Sequence, residues 1–186
     1  MTTAPSRVGG LLLALLLLVP LGAAAAPAGQ GSARYLDPPL RGLDHAGRTV
    51  LEVAPVFLYA MRSVLRGQAE DGPGIGLELR LARGLEGSGD EVGLRLRGSY
   101  LAAWPGVMLS GGYRTYFGRE RWKTFLEIEL ALAYHGGPQA GLRAAGGMIY
   151  ELGPDAGLVL ELGALGTAGA AMFGWAEARA ALQLRF

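Results

Sequence analysis

Residues Met172 to Phe186 read MFGWAEARAALQLRF, and this stretch at the end of the chain decides the fold. Successive side chains of a β-strand point to opposite faces of its sheet, so a strand between two different environments shows a period of two. Here every second position from Met172 is apolar or glycine, and the positions between them include two arginines, a glutamate and a glutamine. The chain therefore ends in an amphipathic strand whose last residue is aromatic.

This ending resembles the C-terminal strand of bacterial outer-membrane β-barrels, whose last residue is typically Phe and whose last strand is read by the insertion machinery. The resemblance implies two partners for the chain. One is the lipid bilayer of the outer membrane, and the other is the barrel-insertion machinery, which would bind the C-terminal strand ending in Phe186.

Seven further alternating segments precede this strand. They run over residues 50–61, 75–81, 92–104, 107–117, 122–135, 142–151 and 158–163. Eight strands in total satisfy the even number that a single-chain bacterial barrel needs when both termini lie in the periplasm. We therefore predict an all-β fold, an eight-stranded antiparallel up-and-down transmembrane β-barrel over residues 48–186, with its longest connection from Arg62 to Gly74.

The composition agrees with a membrane barrel. The chain has 186 residues, 51% of them hydrophobic, with 31 glycines and no cysteine, which argues against a disulfide-built secreted module. Beyond the first 26 residues, no apolar run approaches the roughly 18 residues of a membrane helix. The net charge of +1 and the lack of a basic stripe exclude a nucleic-acid partner.

The N-terminal region predicts export. Residues 1–26 combine Arg7, an apolar run from Leu11 to Leu21 and four consecutive alanines, which is the pattern of a cleaved secretory signal peptide. Residues 27–47 are rich in Gly, Pro and Asp and show no period, so we expect a flexible periplasmic tail before the barrel.

The alternation alone does not say which face of the barrel is apolar. In a membrane barrel the apolar faces meet lipid and aromatic residues collect at the two interfaces, whereas a soluble lipocalin-like barrel inverts the pattern. The apolar faces here carry almost no charge, and aromatic residues fall at the predicted strand ends, which favours the membrane barrel. The predicted interface aromatics are Tyr59, Trp104, Phe117, Trp122, Tyr134, Tyr150 and Phe186.

The polar faces would then fill the lumen with charge. Eight strands leave a bore just wide enough for side chains, and ions in it must be paired. Turn positions place Glu78 opposite Arg95, and Glu127 near Arg114. The predicted lumen network comprises Glu52, Glu78, Arg80, Arg95, Arg97, Arg114, Glu127, Glu129, Arg143, Glu161, Glu177 and Arg179. Pro55 interrupts the first strand, where we expect a bulge or an irregular strand.

Few residues in the chain are suited to catalysis or metal binding. The sequence has two histidines, His45 in the tail and His135 at a hairpin, and no cysteine. Some small outer-membrane barrels are lipid A-modifying enzymes that use a His with a nearby Ser and Glu, but Gly136 and Gly137 follow His135 here. We therefore predict no enzyme, no catalytic residue, no metal site and no cofactor, with His135 a solvated loop residue.

The whole barrel segment is similar to the small OmpA/OmpX-type barrels. That resemblance implies a monomeric structural or surface-interaction protein in the outer membrane of a Gram-negative bacterium. Two alternatives stay open at this point. One is a narrow pore for ions or small solutes, and the other is a secreted lipocalin-like barrel that binds an apolar ligand.

Overall fold

A computed structural model describes residues 45–65, 68–86, 90–101, 104–118, 121–169 and 172–186. The predicted signal peptide and the predicted tail up to residue 44 lie outside the described residues. Within the described ranges, no helix is long and apolar enough to cross a membrane.

The chain folds into eight antiparallel strands that close into a barrel. Each strand pairs with its neighbours in sequence, and the first pairs with the last. The predicted eight-stranded up-and-down barrel is therefore confirmed. The strands are β1 (Thr49–Leu65), β2 (Gln68–Gly84), β3 (Glu91–Leu101), β4 (Trp104–Phe117), β5 (Trp122–Tyr134), β6 (Pro138–Glu151), β7 (Ala156–Gly169) and β8 (Met172–Arg185).

The apolar faces of the strands point outward. In β5, Glu127 and Glu129 are buried, while Ile128, Leu130 and Leu132 on the alternate positions are 49%, 71% and 64% exposed. The other strands show the same arrangement, with charged residues inside and apolar residues outside, which is the reverse of a water-soluble barrel. The lipocalin-like alternative needs apolar side chains inside and charges outside, so it is wrong.

Both ends of the described barrel segment lie at one end of the barrel, which we call the chain-end mouth. There Thr49 and Phe186 exchange two backbone hydrogen bonds, with N···O distances of 3.1 and 2.9 Å. β2, β4 and β6 end there as well. β1, β3, β5 and β7 end at the opposite end of the barrel, which we call the far mouth.

The predicted long connection from Arg62 to Gly74 is wrong. β1 and β2 continue through it as a ladder, and Leu65 pairs with Gln68. A bulge between Ala60 and Ser63 shifts the register. A bulge adds one residue to one strand, so the alternation of side chains shifts by one position. The period of two therefore stops at the bulge, although the strands continue.

Of the two features expected at Pro55, a bulge or an irregular first strand, the bulge is wrong and the irregularity is present. β1 and β8 keep one register through this position, with Val53 opposite Leu182 before it and Val56 opposite Arg179 after it. The two residues between them have no partner in β8. The pairing of β1 with β8, which we call the seam, therefore has a gap of two residues but keeps its register.

Proline chemistry explains this gap. Thr49 exchanges hydrogen bonds with Phe186 of the closing strand pair. Backbone N–H groups alternate between the two neighbours of a strand, so the N–H groups of odd-numbered residues up to the bulge point toward β8. Pro55 occupies one of these positions and has no N–H to donate.

We expect Pro55→Val to stabilise the barrel, because valine supplies the missing donor to β8 at a β-compatible position. The gain should be about 0.5–1.5 kcal/mol in the free energy of unfolding, measured by urea titration of the refolded protein in detergent. Pro105→Val is the matched control. The same alternation points the N–H of residue 105 toward β5, which ends at Tyr134 opposite Val107. Equal gains in both variants would contradict this account of the seam.

Candidate functional site: the ion-paired lumen

The lumen of the barrel holds a dense network of buried charges. The structure places all twelve of the charged residues predicted for the lumen inside the barrel, each no more than 6% exposed. Six are arginines and six are glutamates, so their charges cancel. The arginines are Arg80, Arg95, Arg97, Arg114, Arg143 and Arg179, and the glutamates are Glu52, Glu78, Glu127, Glu129, Glu161 and Glu177.

Strand register brings opposite charges together across neighbouring strands. Because inward positions recur every second residue, an arginine and a glutamate on adjacent strands meet wherever the register aligns them. The opposed pairs are Glu52 with Arg80, Glu78 with Arg97, Arg114 with Glu127, Glu129 with Arg143 and Glu161 with Arg179.

One pairing differs from the turn-based expectation. Arg95 lies opposite Arg80, not Glu78, because the register of β2 with β3 is displaced by two residues. The Arg95 guanidinium still reaches Glu78 diagonally as an ion pair. It also contacts Glu127 at 2.6 Å and Glu129 at 3.0 Å. The negative charge of these carboxylates offsets the repulsion between the guanidinium groups of Arg80 and Arg95.

Arg114 crosses the lumen and joins carboxylates from three strands. Its Nη1 lies 2.5 Å from Glu52 Oε1, and its Nη2 lies 3.1 Å from Glu127 Oε2 and 3.2 Å from Glu161 Oε2. The guanidinium carbon also lies 4.2 Å from the centre of the Phe125 ring. The planar donor fork of arginine allows this many contacts from one side chain.

Arg143 plays a similar role on the other side of the lumen. Its Nη1 lies 3.2 Å from both Glu127 and Glu129, and its other nitrogens form ion pairs with Glu161 and Glu177. Each carboxylate is thus shared among several guanidinium groups. The lumen is a single network and not a set of separate pairs.

Two apolar layers border the charged network, and sequence analysis missed them. Although their members share the inward phase, only charge was used to predict lumen residues. The layer toward the far mouth contains Val56, Leu58, Ala60, Leu101, Met108, Ala131, Ala133, Leu165 and Trp175. The layer toward the chain-end mouth contains Ala54, Tyr116, Phe125, Ile149, Val159 and Ala181.

A second polar cluster at the chain-end mouth was also missed. Glu91 Oε2 accepts from Arg80 at 2.6 Å, and its Oε1 accepts from the Tyr116 hydroxyl at 2.9 Å. Glu151 accepts from Lys123 at 3.1 Å and from Arg185. Both glutamates share the inward phase of the predicted charges on their own strands, so strand phase was the signal that could have found them.

His135 at the far mouth is buried, contrary to the prediction of a solvated loop residue. Only 3% of it is exposed, and its carbonyl accepts a hydrogen bond of 2.9 Å from Gln139 Nε2. Gly106 makes room for the ring, because a Cβ at that position would lie 2.6 Å from His135 Nδ1. Across the described ranges, no group of three or more His, Asp or Glu side chains could hold a metal ion.

The interface aromatics occupy both ends of the outer surface. Trp122 and Tyr150 are adjacent at the chain-end mouth, with ring centroids 4.7 Å apart. The side chain of Trp104 lies outside the described residues. The other predicted members are exposed, namely Tyr59 and Tyr134 toward the far mouth and Phe117 and Phe186 at the chain-end mouth.

A closed antiparallel barrel with apolar residues outside and ion pairs inside has the architecture of the transmembrane β-barrels. Neisserial surface protein A has a similar crystal structure, with a TM-score of 0.60 and 12% identity over 76% of this chain and 98% of that chain. The outer membrane protein OprG from Pseudomonas aeruginosa gives a TM-score of 0.52 and 10% identity over 78% of this chain and 98% of that chain. No protein-family model and no curated protein matches the sequence. The chain has the fold of small Gram-negative outer-membrane barrels, as the sequence predicted.

We expect Arg114→Met to destabilise the barrel strongly, because it removes one guanidinium from three buried carboxylates and leaves the lumen network with an unbalanced negative charge. Breaking a buried ion pair costs about 3–5 kcal/mol, and urea titration in detergent measures the loss. Arg83→Met is the matched control, since Arg83 is exposed on the outer surface and donates to Thr49 at 3.1 Å. Exposed polar contacts contribute little. A loss in Arg114→Met no larger than in the control would contradict the network.

Proposed function

We propose that the protein is an integral β-barrel of the Gram-negative outer membrane with a closed, charge-filled lumen, and that it has a structural or surface-interaction role in the envelope. The observation that carries this proposal is the combination of an apolar outer surface with an ion-paired interior. Each half of that combination supports a separate part of the proposed function.

The outer surface supports a membrane location. Leu130 is 71% exposed, Leu162 69% and Leu77 65%, and all three lie in the middle of their strands. Apolar surface of this extent is unfavourable in water, whereas lipid chains cover it without cost. The interface aromatics at both ends fit the two headgroup regions of a bilayer.

The interior supports a closed lumen over the alternative of a narrow pore. An aqueous channel leaves the side chains along it accessible to water, but the charged residues of the lumen are at most 6% exposed. The apolar layer that includes Leu58, Met108 and Trp175 covers the network toward the far mouth. Ions entering from that side would have to cross it without water.

The closed backbone supports a monomer. Closure pairs β1 with β8, so the eight described strands leave no outer edge strand to pair with a second copy. Phe186 is 70% exposed beside that seam. We propose that the insertion machinery binds β8 and Phe186 before the seam closes.

The membrane location predicts a large penalty for charge on the middle of the outer surface. We expect Leu130→Arg to lower the stability of the folded barrel in lipid vesicles by about 2–4 kcal/mol, with a far smaller loss at the interface. Leu152→Arg is the control, since Leu152 is 49% exposed in a turn at the chain-end mouth. Urea titration followed by the heat-modifiable gel shift measures both. A soluble barrel would tolerate Leu130→Arg as well as the control.

A closed lumen predicts that the protein does not conduct ions. We expect the purified protein to show no steady openings in a planar lipid bilayer, because neither water nor ions reach the buried charges. Steady openings whose conductance changes in Glu127→Gln, but not in the outer-surface variant Arg83→Gln, would identify the lumen as a conducting path. That result would replace the closed barrel with the pore.

A further inference from the structure

The residues just before β1 form a turn that lies across the chain-end mouth. Arg48 N donates to the carbonyl of His45 at 3.0 Å and closes the turn, and Gly47 adopts a φ of 67°, which favours glycine. Two backbone hydrogen bonds attach the turn to the end of β2, from Gly47 N to Gly84 O at 3.0 Å and from Gly84 N to Arg48 O at 2.9 Å. Residues 45–47, expected in the flexible tail, are therefore part of the barrel.

The turn packs directly against Gly84, the last residue of β2. A Cβ at position 84 would lie 1.5 Å from the carbonyl oxygen of His45 and 2.4 Å from its carbonyl carbon. Any other residue would displace the turn or be displaced by it. The end of β2 is thus shaped to receive the turn.

The turn carries the His45 ring into the mouth, where only 2% of the residue is exposed. The ring bridges two strands, with Nδ1 2.5 Å from Glu91 Oε1 and Nε2 3.1 Å from Glu151 Oε1. Tyr116 packs edge-on against it, with ring centroids 4.6 Å apart. One imidazole thereby connects β3 and β6 across the opening.

This geometry requires a charged ring. Ionised carboxylates only accept hydrogen bonds, so two carboxylate partners need an N–H on both ring nitrogens, which only the imidazolium has. Cations around the two glutamates hold them in the ionised form. Arg80 and Arg114 face Glu91 at 2.6 and 3.9 Å, and Lys123 and Arg185 face Glu151.

We propose that the chain-end mouth is an internal docking site for a histidine imidazolium, and that the charged His45 ring latches the segment entering the barrel against Gly84. The docking rests on the contacts above.

A spin label on the turn tests the latch in the full-length protein in detergent. The chain has no cysteine, so Ala46→Cys introduces a unique labelling site in the middle of the turn. We expect a slow, immobilised spectrum in the otherwise unchanged chain. In His45→Gln the label should be mobile, because an amide has no state with two donors placed like those of imidazolium.

Two further variants separate the latch from general effects. Gly84→Val leaves every charge in place but puts a side chain where the turn packs, so the label should be mobile. His135→Gln removes the histidine at the opposite mouth and should leave the label immobilised. Because these variants act through different contacts, the test survives if one of them fails to fold.

The heat-modifiable gel shift of the same samples separates this inference from the proposed function. A slow label spectrum that persists in His45→Gln or Gly84→Val, in a barrel that shows the gel shift, would overturn the latch and leave the membrane barrel intact. A mobile label in the otherwise unchanged chain would overturn the docking of the turn. Absence of the gel shift in that chain would instead count against the proposed function.

Discussion

The pairing of guanidinium with carboxylate inside a closed, narrow bore is the interaction on which the rest of this structure depends. An eight-stranded barrel has room for side chains but little for water, so every inward charge must find an opposite charge. Here six arginines meet six glutamates, and side chains such as Arg114 and Arg143 each contact several carboxylates. Charge balance, not apolar packing, fills the centre of the barrel.

The surroundings of this network keep water away from it. One apolar layer lies on the far-mouth side and a second lies toward the chain-end mouth, where Glu91 joins the network through its contact with Arg80. At the chain-end mouth, the turn carrying His45 covers that cluster. The lumen is therefore ordered along the barrel axis, with charge in the middle and a different closure at each end.

Much of the candidate site was predictable because inward and outward positions alternate. The period of two assigned Arg95, Glu127 and the other charges to one side of the sheet without any three-dimensional information. Restricting attention to charge, however, hid the apolar layers, and assigning residues 45–47 to a tail hid the latch. The bulge after Ala60 broke the period, so strand pairing up to Leu65 was read as a loop.

By itself the sequence determined that there are eight strands, which face of each strand is apolar, and that the charges share the other face. These are local properties, since alternation within one strand needs no partner. Only the tertiary structure decided which carboxylate meets which guanidinium, how His45 reaches Glu91 and Glu151, and that Pro55 opens the seam without shifting it. These features depend on register and barrel closure, which join residues far apart in the chain through backbone hydrogen bonds that no single segment encodes.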